Sequence, residues 1–174
     1  MESLISITIG LLSSITASFI FLICTSILRP KIIISKEIAE STDSKGKKVY
    51  KIKVINMTKR SITNVRAELH LITPKNVPGG RIVSSKKIEL KRCDPIQIGR
   101  FNPKDKEADY AHRFQTYKNL DKIWAKDGNT YLRFRIFGTD SLSNLGKIFR
   151  QDYHMKRSTI KNGEFEFGNS MEIK

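Results

Sequence analysis

The chain opens on an unbroken apolar run and then changes rhythm. Leu4 to Leu28 reads LISITIGLLSSITASFIFLICTSIL, 25 residues without a charge, with Glu2 before them and Arg29 and Pro30 after. At about 1.5 Å per residue the run makes roughly 37 Å of helix against a hydrocarbon core of about 30 Å, which predicts a tilted membrane-spanning helix. Buried helices of soluble proteins seldom run so long without a charge or a cap. A cleaved signal peptide needs a basic n-region and a small-residue cleavage site, and neither stands here. The expectation is a retained anchor.

Beyond Pro30 the period falls to two. Lys31 to Ile34 is β-branched and predicts a strand, with a turn at Asp43 to Gly46. From Val49 to Ile55, Tyr50, Ile52 and Val54 alternate with Lys51 and Lys53, as in an antiparallel strand with one buried face. Val65, Ala67, Leu69 and Leu71 alternate with Arg66, Glu68 and His70 in the same way. Pro74 to Gly80 predicts a loop, Lys87 to Leu90 and Pro95 to Ile98 short strands, and Asn119 to Lys126 a two-turn helix. Tyr131 to Phe137 again alternates, with Leu132, Phe134 and Ile136 inward and Tyr131, Arg133 and Arg135 outward. A polar loop from Asp140 to Gly146, a return through Ile148-Phe149 and a last strand at Phe165 and Phe167 complete the pattern. Some seven short strands with little helix predict a mainly β chain: one N-terminal transmembrane helix over 1–29, then an immunoglobulin-like β-sandwich over 30–174.

Charge changes this picture by assigning sides and partners. The formal charge of the 174 residues is +15, and the first 28 contribute only Glu2, so the 146 residues that follow carry +16. Such an excess favours an anionic partner: nucleic acid, nucleotide or the inner lipid surface. The plainer alternative is a basic, solvated surface, since the lysines and arginines are scattered. Arg29, Lys31 and Lys36 follow the helix and no Lys or Arg precedes it, so the basic flank predicts a single pass through the cell inner membrane, N-terminus outside and C-terminal domain cytoplasmic. Cys24 lies in the span and Cys93 stands alone beyond it, which leaves no intradomain disulfide. The Asn56-Met57-Thr58 sequon has no use in that topology.

Candidate chemistry is sparse. His70, His112 and His154 fall in separate segments without ligand spacing, no P-loop, G-x-S-x-G or H-E-x-x-H occurs, and neither a cofactor nor a catalytic constellation is expected. Two features suggest function instead. Ser6, Gly10, Ser14 and Ser18 recur at intervals of four within the span, a small-residue stripe that predicts helix self-association or a pore lining. A lipid-facing anchor whose serines bond to their own backbone would carry the same residues. The second feature is the pair Arg133 and Arg135 beside Tyr131, suited to a nucleotide or single strand by ion pairing and stacking, with Lys51 and Lys53 repeating the basic spacing. A solvated sheet face reads identically.

Two resemblances extend this reading. Lys51-Ile52-Lys53-Val54-Ile55-Asn56, then Lys59-Arg60 and Val65-Arg66-Ala67-Glu68-Leu69, resembles the first strands of the cytoplasmic immunoglobulin-like domain of inward-rectifier potassium channels over about twenty residues. The chain departs from that family in having one span and no T-V-G-Y-G-like filter, so potassium selectivity does not carry over. Its architecture, one small-residue span and a basic sandwich, resembles the membrane effectors of bacterial anti-phage operons of the Hailong type. That resemblance implies a homotetrameric channel, a partner nucleotidyltransferase and single-stranded DNA oligomers that hold the effector shut. The expected function is thus a ligand-gated oligomeric effector; a membrane-tethered adaptor and an enzyme with an unrecognised site are the alternatives.

Overall fold

The computed structural model describes residues 2–124 and 129–174. One long helix, α1 (Glu2–Ile27), is followed by β1 (Ile32–Ile34), β2 (Ile38–Thr42), β3 (Lys48–Asn56), β4 (Ile62–Val77), β5 (Gly80–Ile88), β6 (Gln97–Ile98) and β7 (Ala111–Thr116). A short helix, α2 (Leu120–Ile123), leads to β8 (Tyr131–Asp140) and β9 (Gly146–Tyr153), and α3 (Lys156–Thr159) leads to β10 (Ile160–Asn162). The chain is mainly β, an apolar N-terminal helix followed by a two-sheet sandwich, as the alternation predicts.

Each sheet is built on one long strand. In the first, β3 has β7 along one edge and β1 and β2 in series along the other, all antiparallel, and β10 extends β2 in parallel. In the second, β4 has β8 along one edge and β6 and β5 in series along the other, and β9 follows β8. Their inner faces supply the alternating residues read from sequence: Tyr50, Ile52 and Val54 from β3, Val65, Ala67 and Leu69 from β4, and Leu132, Phe134 and Ile136 from β8 share one buried cluster. Phe114 and Phe134 meet across it with ring centroids 5.5 Å apart. A fully buried side chain of this size contributes about 1.5–3 kcal/mol. Tyr153 at the end of β9 donates to the Ser35 carbonyl after β1 at 2.8 Å and ties the two sheets together.

Several elements depart from the expectation. Pro74 to Gly80 is a hairpin, in which β4 runs on to Val77 and turns at Gly79, whose φ of 88° suits glycine. Pro74 lies beyond the last β8 pairing, Ile72 with Tyr131, where only β5 among the described residues pairs with β4. Strands β2 and β7 and helix α3 carry too little alternation to read. The expected final strand is a narrow loop instead, in which Phe165 bridges only Ile173 and the tail backbone pairs Glu164 with Lys174. The expected helix from Asn119 holds as one turn, with the Asn119 side chain accepting from the Lys122 amide at 3.1 Å; its continuation to Lys126 lies outside the described residues.

Candidate functional site

Ile5–Ile27 is long and apolar enough to cross a membrane, and its residues are exposed apart from half-buried Thr25. Its hydroxyls turn back on their own helix: Ser18 donates to the Ser14 carbonyl at 2.9 Å, Ser13 to Ile9 at 2.8 Å and Thr16 to Leu12 at 2.8 Å. Such bonds hide the hydroxyl proton from lipid and leave a smooth, small-residue face. A side chain built on Gly10 would meet nothing within 4 Å, so the stripe of Ser6, Gly10, Ser14 and Ser18 is open within one chain.

Four residues separate this helix from the sandwich, and they are held. Pro30 is buried, Ile32 enters the core, and the Met57 amide donates to the Lys31 carbonyl at 2.8 Å. From the other sheet, Ser143 Oγ donates to the Leu28 carbonyl at 3.1 Å. The organiser is Asp140, fully buried, whose carboxylate accepts from Arg60 Nε at 2.7 Å, from the Leu142 and Ser143 amides at 3.0 and 3.1 Å, and from Ser143 Oγ. Burial pushes this carboxyl up, but the Ser143 amide, the Arg60 guanidinium and the Leu142 amide outweigh it and hold it below the usual range. Beside it, buried Asn56 uses its whole amide: Nδ2 donates to the Arg60 and Gly99 carbonyls at 2.7 Å each, and Oδ1 accepts from Thr58 N and Oγ1. The sequon is therefore structural.

Lys51 and Lys53 are a correction. Alternation places them on the outer face of β3, yet that face is roofed by the C-terminal loop, a long-range contact that a strand pattern does not encode. Lys53 is fully buried and Nζ donates to the Glu166 and Ser170 carbonyls at 2.7 Å each. Arg113 of β7 donates beside it to the Phe165 and Glu166 carbonyls at 3.2 Å, and Lys51 pairs with Glu164. Burial, helped by the Arg113 charge and opposed by Glu166, lowers Lys53 to about 8 from 10.5. Between those values the unfolded chain holds the proton more firmly than the folded one, so this group makes stability rise with pH by up to about 1.4 kcal/mol per pH unit. Denaturation at pH 7.5 and 9.5 checks this: the stability of the native chain relative to Lys53→Met should increase with pH, and a constant or falling difference contradicts it.

Arg133 and Arg135 do face outward, on the second sheet, among partners in register. Arg133 makes a two-pronged bond to Asp152, Nε to Oδ1 at 2.9 Å and a terminal nitrogen to Oδ2 at 3.0 Å, and donates to the Tyr131 hydroxyl at 2.9 Å. Burial raises the Asp152 carboxyl, but Arg133 and then Arg150 lower it further. Arg135 stands opposite Arg150, which sequence reading missed because Ile148-Phe149 masked the alternation of β9. Arg135 approaches Glu68 at 3.7 Å and Arg150 approaches Asp152 at 3.0 Å, and both guanidiniums are about half exposed. Lys87 on the adjoining strand shares Glu68. Arg135, Arg150 and Lys87 thus form an exposed basic row, while Arg133 serves to hold Tyr131 and Asp152 in place. Where this face ends, the Tyr131 ring packs at a tilt against His154, centroids 4.9 Å apart, next to a groove of about 930 Å³ lined by Trp124, Thr130, Met155 and Lys156 among others. Glu40 and Asp121 balance Lys156 and Arg157 there, so the groove by itself is not selective for anions.

Among the described residues no group of three or more His, Cys, Asp or Glu is placed to hold a metal ion. No family model matches the chain, and no curated protein matches it. Among solved structures, the sporulation control protein Spo0M from Bacillus subtilis matches at 12% identity and a TM-score of 0.36. The match covers 73% of this chain and about half, 48%, of that one.

Proposed function

We propose that this chain is a ligand-gated, oligomeric membrane effector: α1 spans the bilayer and packs against copies of itself through its small-residue stripe, and the cytoplasmic sandwich binds an anionic nucleotide or single-stranded DNA oligomer. The observation that carries the reading is the joint. A flexible tether would suffice for an anchor, but here both sheets grip the helix end, one through Lys31 and Met57 and the other through Ser143 and Leu28. A shift of either sheet is therefore passed to the span. The exposed row of Arg135, Arg150 and Lys87 beside the Tyr131-His154 ring pair supplies charge and aromatic surface for phosphates and bases. In keeping with the Hailong-type resemblance, the assembly is a tetramer at the inner membrane serving anti-phage defence, and a partner nucleotidyltransferase makes the ligand.

A membrane-tethered adaptor is the second reading, favoured by the self-bonded hydroxyls of α1, which need no neighbouring helix. Ion flux from liposomes separates the two, since an adaptor leaves the vesicles tight. The ligand face has its own test. Reversing Arg135 and Arg150 to Glu should weaken binding of a labelled single-stranded oligonucleotide at least tenfold and flatten its salt dependence. Unchanged affinity in fluorescence anisotropy moves the site off this face.

A further inference from the structure

We infer that the helix-entry end of the sandwich is itself a lipid contact, docking on an anionic bilayer surface through Leu142 set among Arg29, Lys31, Lys59 and Arg100. The inference rests on α1 spanning the membrane. Four segments meet at this end: 28–31, 57–61, 99–101 and 140–145. They are knit by bonds from the Met57 amide to the Lys31 carbonyl (2.8 Å), Phe101 to Thr58 (2.8 Å) and Ser141 to Ser61 (3.1 Å). Their charges are Arg29, Lys31, Lys59, Arg60, Arg100 and Asp140. Arg60 and Asp140 neutralise one another, which leaves four exposed cations and no acid in these segments. The acids of the adjoining loop, Asp105, Glu107 and Asp109, alternate with Lys104 and Lys106, and Asp105 is occupied by the Glu107 and Asp109 amides.

Leu142 is the unexpected residue. It sits at the tip of a turn in which the Leu142 and Ser143 amides bond to Asp140 Oδ1, the Asn144 amide to the Asp140 carbonyl, and Asn144 adopts φ of 56°. A turn locked at every amide would suit a polar residue, yet it presents a leucine that is 71% exposed. The next residue along bonds to Leu28, where the apolar run ends. Met57, 39% exposed, lies in the adjoining segment. An apolar tip one residue from the contact with Leu28, with four exposed cations in the same segments that make no ion pair among the described residues, matches the interface of a bilayer containing acidic headgroups. The contact fixes the sandwich against the membrane, so that motion at the joint is measured from a held base.

Brominated-lipid quenching in the full chain tests this. Trp124, the single tryptophan, bonds to the Thr130 carbonyl just before β8, the length of that strand away from Asp140, and serves as the internal reference. In vesicles of brominated phosphatidylcholine with about a third phosphatidylglycerol, the Leu142→Trp chain should be quenched at least twofold more than the native chain. Lys59→Gln with Arg100→Gln should remove much of that excess. Phe21→Trp, within α1, reports the span. If Phe21→Trp is quenched and Leu142→Trp is not, the lipid contact is overturned and the span stands. If neither is quenched, α1 is outside the bilayer and both readings fall. A blue-shifted but unquenched Leu142→Trp means that protein, another copy or a partner, covers the tip, which also overturns the proposal.

Discussion

Replacing Asp140 with alanine should destabilise the β-domain by about 3–5 kcal/mol, the cost of leaving one member of a buried ion pair alone. The loss is larger than one pair because the same carboxylate satisfies two turn amides and a hydroxyl. Without it Arg60 faces a buried gap and the turn bearing Ser143 loses its fixed shape, so the bond to the Leu28 carbonyl goes too. Denaturant unfolding of the full chain in detergent, followed by Trp124 fluorescence, reads the first effect. Amide exchange at Leu142 to Leu145 reads the second. Removing Arg60 as well should recover part of the loss, since no charge is then stranded. A cost under about 1 kcal/mol would mean that water replaces the network without penalty. The pH dependence has a definite sign: a carboxyl held low in the folded chain contributes stability above the ordinary aspartate value of about 3.9, and that contribution is lost as pH falls through the lower folded value.

Leucine at both Gly10 and Ser14 should weaken self-association on the order of a hundredfold, because each helix loses its close approach and gains overlapping side chains. Within one chain these changes are harmless. A β-carbon on Gly10 meets nothing, leucine favours helix over glycine, and Ser14 contributes its backbone carbonyl, which leucine retains, to Ser18. Any effect must therefore come from a neighbouring copy. Cross-linking in detergent or nanodiscs should shift from a tetramer ladder to monomer, at unchanged helix content by circular dichroism. Unaltered ladders would mark the stripe as lipid-facing and α1 as an anchor.

The course of the chain was legible where one period dominates. The uncharged run became α1, and the strict alternation of β3, β4 and β8 placed their inner residues in the core one by one. Strand β7 was hidden because its polar residues His112, Arg113 and Gln115 are half-buried, Arg113 against the C-terminal loop, and so break the apolar-polar alternation. The outer face of β3 misled for the same reason: period two says that Lys53 opposes Ile52, but not that the C-terminal loop comes back over it 113 residues later. At the candidate site Arg133 and Arg135 were legible as outward, yet their difference was not. Asp152, on another strand, engages one with two bonds and leaves the other half free. The joint was invisible for a like reason, since Asp140 and Arg60 are 80 residues apart and read separately as loop charges.

A gated channel requires that the assembled helices pass ions under control of the sandwich. The direct measurement is dye-reported ion flux from liposomes holding the full chain, with and without single-stranded DNA oligomers on the side of the β-domain. The expected result is a leak that the oligomers alter, that disappears in the Gly10→Leu, Ser14→Leu chain, and that ignores oligomers once Arg135 and Arg150 are reversed. Vesicles that stay tight under every condition, with the protein inserted and folded, would contradict it.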